Sequence, residues 1–202
     1  MNLSFGGPND LQPPGAGIPA FERFALNAGL KTAAALMTDK FVLRRIQSDA
    51  KVILDMAECE SQSYDVTDPI VTPRVIGIED SSRNWSVLMV LEHLCLVNIE
   101  LTKLVAALAD GIVPKGEIDI AFYKPSDEIG YDVIPRFENV TNDYAIMVTG
   151  LINKHGNLNL PARYPHPWFG SLNAHQWHCL VAAHQKIHRR QLQKIIAMLG
   201  VA

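Results

Sequence analysis

Apolar residues recur at three- and four-residue spacing through several long stretches of the chain, and that spacing predicts α-helices. Residues 21–36 follow Pro19 and are rich in helix formers, with Gly29 as a weak point. Thr38 reads as an N-cap, and Phe41, Ile46, Ala50, Ile53, Leu54 and Ala57 mark the stripe of the next segment. The pattern leaves open whether these are two helices or one kinked helix. Between Ser61 and Asp80, Pro69, Pro73 and Gly77 among β-branched residues predict a connection with extended character.

Ser81, Ser82 or Asn84 is expected to cap a long apolar helix that ends near Ala109, ahead of Gly111 and Pro114. An irregular crossover is predicted over 115–134. Another long helix is expected over 135–154, with Phe137, Val140, Tyr144, Met147, Val148 and Leu151 on one stripe. A loop with Pro161, Pro165 and Pro167 leads to Asn173, the expected cap of a final helix reaching Leu199. Four substantial helices joined by long crossovers describe an all-α bundle, a single domain over 20–202 preceded by a flexible Gly/Pro-rich arm, 1–19.

On the final helix, Trp177, Val181, His184, His188, Gln191 and Ile195 follow the alternating spacing of a seam turned toward neighbouring helices. Lys186, Arg189, Arg190, Gln193 and Lys194 lie opposite and read as a solvated face. Histidines four apart stand one turn apart, with Cβ atoms roughly 5–6 Å from each other, so two imidazoles can converge on one metal ion. Zinc-protease chemistry needs Glu directly after the first histidine, and Gln185 occupies that place. A third ligand is sought on the apolar helix, where His93 is the conspicuous polar group on the stripe of Met89, Val90, Leu96, Val97 and Leu104. A buried neutral imidazole needs hydrogen-bond partners or a metal. Glu100 and Gln191 are candidates to support the ligands from behind, Glu100 also as a buried ion-pair member, or else both are polar residues at a solvated end. His166, Trp168 and Phe169 stand on a loop that reads either as a packed aromatic loop with a capping histidine or as one within reach of the site's mouth, with His166 an acid/base and the aromatics a wall for a small substrate. His155, at the end of the preceding helix, and His175 and His178, which fall off the seam, are assigned no function.

Composition narrows the classes further. A hydrophobic share of 48% with 19% charged residues is that of a globular domain, and a net charge of -3 gives no attraction for a nucleic-acid backbone. Glu92, His93, Asn98, Glu100 and Lys103 interrupt the apolar run that starts at Val87, which argues against a membrane span. The arm lacks the basic start and apolar centre of a signal peptide. Cys59, Cys95 and Cys179 form no metal or disulfide pattern, read as small core residues, and suit a reducing cytoplasm. No phosphate loop, serine elbow or paired-carboxylate motif competes for the assignment.

Asn84-Trp85-Ser86 ahead of Glu92-His93-Leu94, and the run from His184 to Leu192, resemble the DinB/YfiT-like family of metal-dependent bundle proteins. The segment from His166 to Leu172 is similar to a branch of that family with such a loop before its last helix. The resemblance covers the chain from about Arg83 to the end and implies an up-up-down-down four-helix bundle, often a homodimer. It further implies one divalent ion, nickel or zinc, on residues matching His93, His184 and His188, and a thiol-dependent transferase-like or hydrolase-like reaction on a small molecule. A low-molecular-weight thiol is the implied cosubstrate. The arm and the 115–134 crossover depart from the shorter family pattern. Two further readings stand beside this one: a metal-binding or stress-associated bundle without catalysis, and an interaction module whose histidines carry no ion.

Overall fold

At Thr38 one helical ladder stops and another begins. Helix α1 (Ala20–Leu36) ends there, and the Thr38 hydroxyl accepts the Phe41 N–H at 3.3 Å to open α2 (Asp39–Glu60), so the two are separate helices. The structure is a computed structural model and describes residues 10–61 and 65–200. Five helices account for most of it: after α2 come α3 (Val87–Ala109), α4 (Val133–His155) and α5 (Ala174–Leu199). Strand β1 (Ile70–Val71) pairs antiparallel with β2 (Asn84–Trp85), and β3 (Arg163–His166) with β4 (Gly170–Asn173).

Helix α3 packs against α4 and α5, and α2 packs against the same two helices from the other side, while α1 lies on α5. The apolar stripes explain this arrangement. Ile46, Ala50, Ile53 and Ala57 of α2 are buried, whereas Phe41 stands 39% exposed and Val42 takes its place at the head of the stripe. Helix α3 is buried nearly all round, as its composition predicts, and meets Phe137 of α4 and Leu192 of α5 in one core cluster. A second cluster gathers Leu104, Tyr144 and Trp177. Among the described residues no helix is long and apolar enough to cross a membrane.

Several boundaries differ from the sequence expectation, each for a local reason. Ser86 caps α3 by accepting the Met89 N–H at 3.1 Å; Ser81 and Ser82 belong to a 3-10 turn (Asp80–Arg83), and Asn84 to β2. Helix α4 starts at Val133, so Pro135 lies inside its first turn, where a missing N–H costs no hydrogen bond. The proline-rich loop before α5 is a hairpin, and Asn173 with Gln176 closes it with a reciprocal capping box. Cys95 and Cys179 are buried, but Cys59 is exposed near the end of α2. The face of α5 expected to be solvated is partly engaged: Arg189 pairs with Asp49, and Lys194 donates to the Arg74 carbonyl at 2.9 Å. The expected flexible arm falls in part on residues 1–9, which lie outside the described residues. Its described part is held, with the Gln12 N–H on Asp80 at 2.9 Å and the Gly17 N–H on Glu79 at 3.0 Å.

A buried polar knot joins α2 to α5. Asp39 accepts His175 Nδ1–H at 2.6 Å and the Leu158 N–H at 3.0 Å. His175 Nε2–H donates to the Ala34 carbonyl at 2.9 Å, so both ring nitrogens carry protons and the ring is an imidazolium. The Asp39 carboxylate, helped by the Cys179 sulfur, outweighs burial and raises His175 to about 10. Burial alone would raise Asp39, but the hydrogen bonds from His175 and Leu158 and the charge of His175 hold it below its usual 3.8. His178 Nε2–H donates to the Asp39 carbonyl, which leaves its Nδ1 to accept the Tyr144 hydroxyl at 2.7 Å.

Removing one member of a buried charge pair strands the other. Asp39→Ala is therefore expected to cost about 3 kcal/mol in urea unfolding. His175, with its folded pKa raised from 6.5 to about 10, contributes stability that is complete below 6.5 and is lost as pH rises through about 10. The stability difference between the wild type and His175→Gln should accordingly shrink over that window.

Candidate metal centre

His93 faces inward from the second turn of α3, and His184 and His188 face it from consecutive turns of α5. One ring nitrogen from each lies within 4.8 Å of the others, the arrangement required to hold a single ion. His93 Nε2 and His184 Nε2 are 3.1 Å apart. Metal–nitrogen bonds of about 2.0–2.1 Å at a tetrahedral centre place two such nitrogens about 3.3 Å apart, so the spacing fits common coordination. Trp85, at the end of β2 just ahead of α3, stacks on His188 at 5.8 Å and leans on His93 at 5.0 Å, closing one side with an apolar wall.

The supporting hydrogen bonds decide which nitrogens are free. The Tyr123 carbonyl can only accept, so His93 Nδ1 donates to it, at 2.6 Å, and His93 Nε2 carries a lone pair. Gln191 Nε2 donates to the Ser82 carbonyl at 2.6 Å, which turns Gln191 Oε1 toward His188 Nδ1–H at 2.8 Å and leaves His188 Nε2 unprotonated. His184 differs, because its Nδ1 is buried and has no partner among the described residues. Its ring is oriented by packing and by the other imidazoles.

Burial keeps all three rings uncharged. It lowers His93 to about 4, with the Lys124 charge adding to the effect and the Tyr123 carbonyl opposing it. His184 and His188 are pushed well below 6.5, first by burial and then by neighbouring imidazoles. Neutral imidazoles are the form that ligates metals. In a metal-free cluster the lone pairs of His93 and His188 would face inward, and a proton on His184 can satisfy one of them at most. The donor set, its fixed tautomers and its spacing thus fit a divalent cation.

The sequence candidates are only partly assembled here. Gln191 is buried and bonds His188, while Glu100 is half-exposed and pairs with Lys103 at 2.6 Å, so it supports no ligand. His166 and Trp168 line the cavity above the histidines. The Trp168 N–H donates to His166 Nδ1 at 3.0 Å, which makes His166 an Nε2–H donor, and burial lowers its pKa to about 4. It stacks on Phe169 and touches Trp177. Gln185 points away, its amide donating to the Ile46 carbonyl at 2.6 Å.

Sequence reading missed Tyr123, Ser82, Lys124 and Glu79. Tyr123 ends a 3-10 turn (Ile120–Tyr123) in the crossover and contributes only a carbonyl, which no side-chain pattern announces. Lys124 binds Glu79 at 2.9 Å and the Ser82 hydroxyl at 2.7 Å beside Trp85, tying the crossover to the segment ahead of α3. The Ser126 N–H on Glu92 at 2.7 Å makes a second tie. Compared with known protein families, curated proteins and solved structures, the chain matches none.

Gln191→Leu keeps the volume and removes the acceptor that orients His188. It should lower divalent-metal affinity by roughly 10–100-fold, read by competition with a chromophoric chelator, with the helical circular dichroism unchanged.

Proposed function

We propose that this chain is a metalloprotein of the DinB/YfiT-like kind, holding one nickel or zinc ion on His93, His184 and His188 and acting on a small molecule. The observation that carries this reading is the convergence of three neutral imidazoles from two helices beneath a cavity of about 710 Å³. The resemblance of the Trp85-to-His93 segment and of the terminal histidine helix to that family supports it, and an up-up-down-down order of the long helices belongs to the same proposal.

Three protein ligands leave a coordination position for an exogenous group, as catalytic sites do. A divalent ion there would supply Lewis acidity, favouring the deprotonated form of a bound thiol or water. The protein's own contribution is definable. Tyr123 and Gln191 hold the rings of His93 and His188 in one tautomer. Trp85 excludes water from one side. His166, as an Nε2–H donor, can hydrogen-bond an oxygen of a substrate in the cavity, and Trp168 with Phe169 forms the wall beside it. Transfer of a low-molecular-weight thiol to an electrophilic carbon and hydrolysis by water both suit this arrangement.

Protein purified without added metal should carry one divalent ion per chain by elemental analysis, and His93→Ala or His188→Ala should lose it. A wild-type chain with no stoichiometric ion would sink the proposal. Thiol conjugation to a model electrophile should slow by 10-fold or more in His184→Ala, a modest share of what a metal-bound nucleophile contributes; equal rates in both proteins would leave a metal-binding protein without this catalysis.

A further inference from the structure

The cavity over the histidines is long as well as large. One face of α3 lines it from His93 through Val97, Leu101 and Leu104 to Ala107. Over that interval a helix advances about 21 Å at about 1.5 Å per residue. Helix α5 contributes Leu180, Ala183 and Ile187 on the same side as His184 and His188. The opposing wall is α1, which presents Leu26 and Leu30 together with Ala25, Gly29 and Ala33, three small residues one turn apart. Gly29 is exposed at the edge of the cavity, and a Cβ built there meets nothing within 4 Å, so a larger side chain has room to enter the space. The volume of about 710 Å³ lies within the roughly 300–1,000 Å³ of small-molecule sites.

Charge is distributed along this space in a way that selects a ligand. Glu100 and Lys103 pair with each other at 2.6 Å on the outer side, and Glu79 pairs with Lys124 at 2.9 Å near the histidines. The rest of the lining is mostly apolar, with Leu30, Val97, Leu101, Leu104 and Ile118, and Lys115 and Glu117 are its other charged members. The histidine end is the reverse case, because three neutral imidazoles bring no negative charge to a divalent ion, and a buried cation is costly unless an anion accompanies it.

We propose that the channel binds an unbranched aliphatic carboxylate, its carboxylate at the three-histidine centre and its chain between α1 and α3. This rests on the metal-centre reading for the head group, whereas the tail site stands on the cavity alone. An uncharged alcohol of the same length tests the tail separately.

Isothermal titration of metal-loaded protein with hexanoate, decanoate and dodecanoate should show affinity rising at least 10-fold across the series. Gly29→Phe and Ala33→Leu, both on the cavity side of α1, should each weaken dodecanoate at least 10-fold while the protein keeps one ion per chain. Two α1 variants guard against one that fails to fold, and retained metal reports an intact core. Dodecanoate should bind His184→Ala no better than dodecanol does. Affinity independent of chain length, or unchanged in both α1 variants, would overturn the channel. Dodecanoate binding that is equal with and without metal would overturn the placement of the head group. A wild type that takes up no ion yet binds dodecanol, with loss in Gly29→Phe, would refute the metal centre and uphold the tail site.

Discussion

An imidazole has two ring nitrogens, and in an apolar interior neither can be left to water. His93 and His188 each spend one nitrogen on a protein acceptor, and this requirement organises much of the surrounding chain. For His93 the acceptor is a backbone carbonyl, so the crossover between α3 and α4 must come back across the site and stop at Tyr123. For His188 it is an amide oxygen whose direction is set in turn by the Ser82 carbonyl, so the segment ahead of α3 must lie against α5. Glu79, Lys124 and the two serines hold these segments together where they meet, and Glu79 also fastens the described part of the N-terminal arm. The irregular parts of the fold are therefore the scaffolding of the histidine cluster.

Helix α5 carries two histidine pairs whose chemistry differs because of one carboxylate. His175 sits beside Asp39 and is held as a cation, and His178 shares its anchor on the same residue. About two to three turns beyond His178, His184 and His188 find no carboxylate among their close partners in the described residues, and burial keeps them neutral. The first pair fastens α5 to α2, where loss of charge would cost stability. The second keeps its lone pairs, which makes it available to an ion. Cys179 falls with the first pair, its sulfur 3.7 Å from His175, and outside the ligand group.

The cavity follows from how α1 is attached. Its Glu22 reaches Arg74 and the Gly77 N–H, and its Ala34 carbonyl receives His175, so both ends are tied down. Between the ties α1 lines the space facing α3 with Leu26 and Leu30 and with the small residues Ala25, Gly29 and Ala33, which add little bulk to it. The weak helix former at Gly29 thus has a consequence for shape as well as for propensity.

Much of this could be read from the chain itself. Helical periodicity placed the long helices, with ends within a few residues of those observed, because an amphipathic stripe is a local property of the sequence. The seam from Trp177 to Ile195 put His184 and His188 inward, since residues three and four apart share a face in any helix. His93 was legible as a polar group on an otherwise apolar stripe. For Glu100 the spacing left a ligand-supporting role and a solvated position both open, because seven residues beyond His93 gives the face and not the depth, and the ion pair with Lys103 decides for the second. What the sequence alone determined is which side chains face inward, a matter of 3.6-residue geometry and apolar spacing. The tertiary structure decided that α3 brings His93 against α5, that a crossover carbonyl and the Ser82–Gln191 relay set the tautomers, and that α1 stands away to leave a channel. Those outcomes depend on contacts between residues tens of positions apart, involve backbone atoms common to every residue type, and so leave no pattern along the chain.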